Sequence, residues 1–417
     1  MKFSPVSLKN IATVILSACF ALFLYSDLYA QSLTLGVLQP LADKPGPAPA
    51  SLHTGAKYYV PVNLDTVRWG YLPDAQSKPI LTVPSGSVIT FDTISHEGIL
   101  EDQGRDPVKY FAQFGVPASH VLKDAQAIAA SALEHNFAKD GPHVEVGPVD
   151  IEGAEPGDIL KIEMISMTPR VPYGIVSNRH GKGALPNEMP EGPAPDPSAS
   201  SANPELYHNV SKFVSLETLR GKLFCVIKDS NGRAIRFAAA PFHGTVGVAP
   251  NVTGKPNSIP PGVYGGNLDI RYLTNGSTLY LPVQVAGGKF FISDPHFSQG
   301  NGEVALTAVE GSLRSTVRLT VLKLHQPGYP SKEQLLTPFA ETADYWIPIG
   351  FDPDLNEAMK QAVRNAVSFL AANQGMDRAT ALAYLSAATD FEVSQVVDRT
   401  KGVHALIRKK DFVVGMR

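Results

Sequence analysis

Cysteine is nearly absent: the 417 residues contain two, Cys19 and Cys225. If the N-terminal segment that carries Cys19 is removed, one thiol remains and no internal disulfide can form. Cys225 sits in the apolar run LFCVI and reads as a buried core thiol rather than a nucleophile. Charge of one sign is also scarce. A net charge of −3 gives no electrostatic reason to expect nucleic acid or an anionic membrane surface as a partner. No Gly-x-Ser-x-Gly elbow is present, which disfavours an α/β-hydrolase. The dinucleotide fingerprint, the phosphate-binding loop and His-Glu-x-x-His are missing too, so nucleotide use and the commonest zinc-protease pattern find no support. Beyond the N-terminus no apolar run is long enough to cross a membrane.

What the chain has in plenty is glycine (35) and proline (34), which points to many turns and short strands rather than long helices. Residues 1–30 form a secretory signal pattern: Lys2 and Lys9, an apolar run from Ile11 to Tyr25, then Leu28-Tyr29-Ala30 before a cut. The expected location is the periplasm or the exterior, with no membrane span after cleavage. Lipidation at Cys19, in Leu16-Ser17-Ala18-Cys19, ranks second because the apolar core continues past it. Residues 31–56, rich in proline and alanine, read as a flexible lead-in.

From Lys57 the pattern is β-rich, giving a body over 57–325. In GAEPGDILKIEMISM, a turn at Glu155–Asp158 precedes Leu160, Ile162 and Met164, which alternate with Lys161 and Glu163. SGSVITFDTIS, LYLPVQV and VRLTVLK read as further strands. Asn231-Gly232 between two apolar runs predicts a hairpin. Residues 186–204 have no period and form a loop or a lid. Residues 326–417 change character. Leu355, Met359, Val363, Ala366, Val367 and Leu370 share one helical face, a second helix follows over about 377–388, and a last strand comes after a turn at Lys401-Gly402. The fold class is mainly β, a sandwich- or barrel-like body with a small helical C-terminal section, α+β overall.

The chemistry concentrates in FISDPHFSQGNGE, residues 291–303. In an extended segment, side chains at i and i+2 share a face, so Asp294 and His296 point together. Asn267 and Asp269 have the same spacing, after Gly265 and Gly266. Asp, His and Glu together suit a divalent cation, Zn²⁺ first and Ca²⁺ second. His96, at the end of a predicted strand, is a further ligand candidate, with Glu97 or Glu101 as a base. Taken singly, an Asp-Pro-His is more often a turn than a ligand set, and His143 and His243 stand isolated and read as structural.

Five segments then agree in order and spacing: VDIEGAEPGDIL (149–160), FHGTVGVAP (242–250), YGGNLDIRYLTNGSTLYLPVQV (264–285), SDPHFSQGNGEVALTAVE (293–310) and SQVVDRTKGVHALI (394–407). Together they resemble the acetamidase/formamidase family from about Lys57 onward. The resemblance implies a mostly β fold, hydrolysis of a short linear amide to carboxylate and ammonia, a bound metal and a homo-oligomer. Its polar motifs fall on Asn267, Asp269, Asp294, His296, Gln299 and Glu303. Two departures stand out. The family's Gly-Asp-Gly-Glu-like run reads Gly300-Asn301-Gly302-Glu303 here, and the segments around 95–120 and 173–185 are unlike the common pattern.

The expected protein is therefore an exported amidohydrolase. Asp269, Asp294, His296 and His96 would hold the metal. Glu303, with His296 and Asp294, would carry the proton and charge chemistry, and Asn267 and Gln299 would contact the substrate. The alternative is a non-catalytic periplasmic binding protein on the same fold, motivated by Asn301 and the altered 95–120 segment. A third option is a hydrolase for another carbon–nitrogen bond, such as that of a formylated amine.

Overall fold

The computed structural model describes residues 35–323 and 335–412. The expected export segment, with Cys19, lies outside the described residues. Two large sheets dominate. One has ten strands in the order Gly46–Pro47, Tyr58–Val60, Ser87–Asp92, Leu313–Leu322, Ile159–Pro169, Thr278–Pro282, Phe339–Glu341, Tyr345–Asp352, Lys401–Arg408 and Asp390–Gln395. The other has eleven. Its main path runs from Ala234–Ala238 through Lys222–Lys228, Val210–Leu219, Tyr173–Asn178, Val309–Glu310 and Phe290–Ser298 to Phe242–Gly247 and Gly265–Asn267. Val144–Ile151 branches from Phe290–Ser298 and carries Val67–Trp69 and Leu81–Val83. The main core combines side chains of both sheets, among them Phe91, Leu160, Ile162, Val246, Phe290, Val317 and Leu319. The expected class, mostly β with a helical C-terminal part, is what the chain adopts.

Sequence patterns account for most elements. Leu160, Ile162 and Met164 are buried while Lys161 and Glu163 are half-exposed, as alternation requires. Asn231-Gly232 closes the hairpin between Lys222–Lys228 and Ala234–Ala238, with Gly232 at φ 77°. Cys225 is buried in this hairpin, and burial pushes its thiol up to about 12. Every residue of Phe290–Ser298 is buried. A strand covered on both faces shows no alternation, which suits the apolar start of that run.

Two expectations shift in the C-terminal section. The helix Leu355–Gln374 is capped by Asp354 and stopped by Gly375, but its buried face is Ala358, Ala362, Ala366, Val367, Phe369 and Leu370. Leu355 and Met359 are exposed. The cause is Gly350, where a Cβ would lie 2.3 Å from Ala358 O and from Ala362 N. Helix and strand backbones touch there, so the alanines face inward and the larger residues turn out. Lys401-Gly402 does not form the turn either. Both residues lie in the final strand, Lys401–Arg408, and the chain reverses over 396–400 before pairing with Asp390–Gln395.

The segment 35–56 and the ten-stranded sheet meet at a buried charge network. Asp92 accepts Arg314 Nε at 2.6 Å and Nη2 at 2.9 Å, and Tyr59 Oη at 2.6 Å. Arg170, fully buried, pairs with Asp124 at 2.7 Å and reaches Asp92 at 3.4 Å. Arg170 also donates to Leu38 O, and Arg314 to Gln39 O. Removing one partner strands the others without water. Asp92→Ala is expected to lower the unfolding free energy by about 3–5 kcal/mol, read as a lower urea midpoint. A midpoint equal to wild type would show that the network contributes nothing.

Candidate functional site

Asp294 sits inside Phe290–Ser298, yet its φ is 51°. Asp269 (φ 51°) and Glu303 (φ 47°) share this left-handed backbone, uncommon for residues with a Cβ. Three acids of one cluster in such conformations are a concentration of backbone strain of the kind that marks functional sites.

The three acids meet two histidines foreseen from the sequence and one that was not. His296 Nε2 lies 3.1 Å from Asp294 Oδ2 and 3.1 Å from Glu310 Oε1, and its Nδ1 is 3.9 Å from Asp269 Oδ1. His96 Nδ1 is 3.6 Å from Asp294 Oδ1. His143 Nε2 is also 3.6 Å from Asp294 Oδ1. The far nitrogen of each of these two rings faces a second group. His96 Nε2 is 3.3 Å from Glu97 Oε1, and His143 Nδ1 is 3.0 Å from Ser258 Oγ. An inner nitrogen aimed at a shared carboxylate and an outer one beside a second polar group is how proteins orient metal-binding imidazoles.

The strand Phe242–Gly247 supplies the room. A Cβ on Gly244 would lie 2.4 Å from Asp269 Oδ1, 2.4 Å from Asp294 Oδ2 and 2.7 Å from His296 Cε1. Only glycine lets this backbone close one side of the cluster. Its neighbour His243 points the other way, 2.8 Å from Ser293 O and 2.7 Å from Ser315 Oγ, as a structural histidine does.

The charge balance is unusual. Burial would raise the Asp294 carboxyl, but the His296 and His143 rings outweigh it and hold the group well below the ordinary carboxylate range. The remaining acids go the other way. Burial, then Asp269, pushes Glu303 well up. Burial raises Glu310 against the pull of His296. Burial with Asp269 and Glu303 raises Asp398. Asp269 is pushed up to about 7 by burial and by Asp294. Burial opposes charge on His296, yet Glu310 and Asp294 carry it well above the usual imidazole range. His143, dominated by burial, falls to about 4. The cluster holds more acid than three imidazoles can balance, and protons make up the difference.

Many of its polar atoms also lack hydrogen-bond partners among the described residues: both nitrogens of His96 and His296, both oxygens of Asp269, Asp294 Oδ1 and Glu310 Oε2. Buried polar atoms left without partners in this way fit a bound cation. Three overlapping groups have the spacing of a cation site: His96, His143 and Asp294; Asp294, His296 and Glu310; Asp269, His296 and Glu303. The mixed carboxylate–imidazole donor set suits a divalent cation.

A cavity of about 410 Å³ opens onto the cluster. His96, His143, Asn267, Asp294, Glu303, Glu310 and Asp398 line it, whereas Asp269, His296 and Gln299 stand behind them. Asn267 Oδ1 accepts from Thr245 Oγ1 at 2.9 Å, which fixes the amide. Gln299, a substrate contact by sequence, spends its amide nitrogen on Asp269 O at 2.9 Å and Ser394 O at 3.1 Å. It ties the Asp269 backbone to the C-terminal section. Glu97 binds Arg179 at 3.0 Å and accepts from Ser177 and Gln103. Burial would raise it, but Arg179 keeps it well below the usual range. That makes Glu97 an orienting group for His96, not a base. Glu101 accepts from Tyr207 at 2.6 Å and does not line the cavity. Asn301 Nδ2 donates to Glu392 Oε2, also outside the cavity, where an acid would face an acid. The substitution that motivated a non-catalytic reading is thus matched to its own neighbour.

Residues 251–408 match the acetamidase/formamidase family. The resemblance read in the sequence motifs stands. A formamidase of Methylophilus methylotrophus is 26% identical over 271 residues, covering 55% of this chain and 66% of that protein. An acetamidase of Mycolicibacterium smegmatis is 27% identical over 199 residues, covering 39% and 49%. The alignments thus span about half to two thirds of these relatives. The crystal structure of an acetamidase from Yersinia enterocolitica is similar with a TM-score of 0.62 at 25% identity, over 83% of this chain and 90% of that one. An acetamidase structure from Bacillus halodurans, 24% identical, has the same fold with a TM-score of 0.62 over 85% and 98%. The family match covers Asp269, Asp294, His296, Glu303, Glu310 and Asp398, while His96 and His143 come from outside it.

Three of these groups have no functional role in the sequence reading: His143, Glu310 and Asp398, the last within the quoted motif 394–407. His143, taken as structural, joins through the strand Val144–Ile151 that it precedes. Glu310 stood inside a quoted motif without a role. Gly244→Ala is expected to push the carboxylates apart and weaken metal retention by roughly 10–100-fold, measured as bound metal after dialysis against a divalent-ion buffer. Wild-type retention in that variant would mean the close approach at Gly244 has no bearing on a cation.

Proposed function

We propose that this chain hydrolyses the carbon–nitrogen bond of a linear amide, giving a carboxylate and ammonia. The observation that carries this reading is the convergence of His96 Nδ1 and His143 Nε2 on Asp294 Oδ1, with His296 and Glu310 on its other side, at a cavity wall. The family match and the formamidase and acetamidase relatives supply the reaction class. Export is proposed on the pattern of residues 1–30 alone.

Asp294, His96 and His143, backed by His296, Asp269 and Glu310, would hold a divalent cation, with Zn²⁺ the first candidate by donor set. Such an ion would polarise a carbonyl and bring the pKa of a bound water down to roughly 7. The protein's own groups do the rest. Asn267, held by Thr245, offers its amide hydrogen to the carbonyl oxygen. With the charge of Asp269 and Asp294 offset, Glu303 ionises and takes a proton from the attacking water. The new C–O bond forms, the C–N bond breaks, and Glu303 returns the proton to the departing nitrogen.

Ammonia release from formamide, acetamide and larger amides is the direct test. Chelation should stop it and a divalent ion restore it. Glu303→Gln should lower kcat by roughly 10²–10⁴-fold while metal content holds, and His296→Ala should lose both metal and turnover with the fold intact. Full activity of His296→Ala with unchanged metal would sink the site assignment.

Metal retention should also depend on pH. Ligands bind deprotonated, and Asp269, Glu303 and Glu310 are all held above their ordinary range. Bound metal should therefore fall as pH drops through about 7, where Asp269 gains its proton. Retention that stays flat down to the ordinary carboxylate range would contradict this.

A further inference from the structure

The far side of the cavity differs from its acidic floor. Apolar side chains, Leu100, Phe137, Ile259 and Leu306, are among the lining residues. At the rim stand two exposed cations, Lys182 and Arg399. Desolvation, then the like charges of Arg179 and Arg399, disfavour the Lys182 ammonium. The acid that bears on it, Asp102, is already committed to Arg179 at 2.7 Å and Asn209 at 2.9 Å. Neither Lys182 nor Arg399 has a carboxylate partner within ion-pair distance among the described residues, although Lys182 lies 5.8 Å from the Phe137 ring centroid. Two cations that line one cavity, neither in an ion pair of its own, suit an anion.

Size points the same way. A cavity of about 410 Å³ falls in the ~300–1,000 Å³ range of pockets that enclose drug-sized ligands. Formamide or acetamide would leave most of it filled with water.

Resting on the amidase reading above, we propose that the preferred substrate is a primary amide whose aliphatic chain ends in a carboxylate. The amide would sit at the Asp294–Glu303 floor, the methylenes along the apolar wall, and the carboxylate between Lys182 and Arg399. The reaction then yields a dicarboxylate and ammonia from the amide and water, with no further reactant needed. Charge-assisted pairing at the rim supplies selectivity, because a neutral chain end leaves both cations unpaired.

The test compares amides that differ at one end: adipamate, hexanamide and 6-aminohexanamide, with shorter and longer members of each series. Wild-type kcat/KM for the preferred carboxylate-ended amide should exceed that of its methyl-ended counterpart by roughly tenfold or more. The amino-ended one should be poorest, and the preference should shrink as salt rises. Lys182→Met and Arg399→Met, on exposed side chains, should each cut the carboxylate-to-methyl ratio several-fold. A ratio near one across the series, or variants that depress both amides alike, would overturn the proposal. Ammonia release from none of the amides would overturn the hydrolase reading instead. Calorimetric binding of adipamate would then decide the rim: binding weakened by Lys182→Met sustains it, and binding that is absent or unaffected overturns it.

Discussion

A carboxylate can be buried at low cost only if something positive meets it, and Asp294 is where this protein satisfies that condition. Both its oxygens face imidazoles: His96 and His143 on one side, His296 on the other. Around it, Asp269, Glu303, Glu310 and Asp398 are buried with far less compensation, and their carboxyls are driven up. A cluster arranged in this way is destabilising as it stands. A cation would relieve all of these groups at once, so folding leaves a demand for charge that its binding would meet.

The architecture brings that demand to one point from distant parts of the chain. Phe290–Ser298 is paired on both sides and buried on both faces, so its position is fixed. Asp294 turns out of regular strand geometry within it. Gly244 on the neighbouring strand admits the carboxylates to a space no side chain could share. From the far end of the sequence, Asp390–Gln395 grips the 299–303 loop: Ser394 O accepts from Gln299 Nε2 and from the Gly302 N–H, and the Val396 N–H donates to Gly302 O. The helical C-terminal section is thereby part of the site, since Val396, Val397, Asp398 and Arg399 line the cavity.

Local periodicity carried much of this in advance. The strand alternation at 159–169, the hairpin at Asn231-Gly232 and the capped helix at 355–374 follow from nearest-neighbour chemistry, and the structure has all three. Asp294 and His296 were legible as a same-face pair, and they lie 3.1 Å apart. What could not be read is set by partners remote in sequence. His143 has no local sign of function; its meaning comes from Asp294, which Val144–Ile151 brings alongside by pairing with Phe290–Ser298. The helix face was misjudged because Gly350, outside the helix, decides which side can approach the sheet. Asn301 was a departure from a motif in one dimension and a partner for Glu392 in three.

Chemistry and selectivity then fall largely on different stretches. The acidic floor of Asp294, Glu303, Glu310 and Asp398, with Asp269 behind it, lies within the family-matched residues 251–408. Much of the wall does not: Leu100, Phe137, Arg179 and Lys182 precede it, as do the two cluster histidines His96 and His143, and the sequence around 95–120 and 173–185 is where the chain departs from the pattern it otherwise follows. On the proposed reading, amide hydrolysis would constrain the floor tightly, because the distances around Asp294 would have to suit a cation and a proton carrier together. The wall needs only to accommodate the rest of the substrate. On that reading, a chain that keeps the floor and rebuilds the wall with apolar and basic residues would keep its reaction class and change what it reacts with.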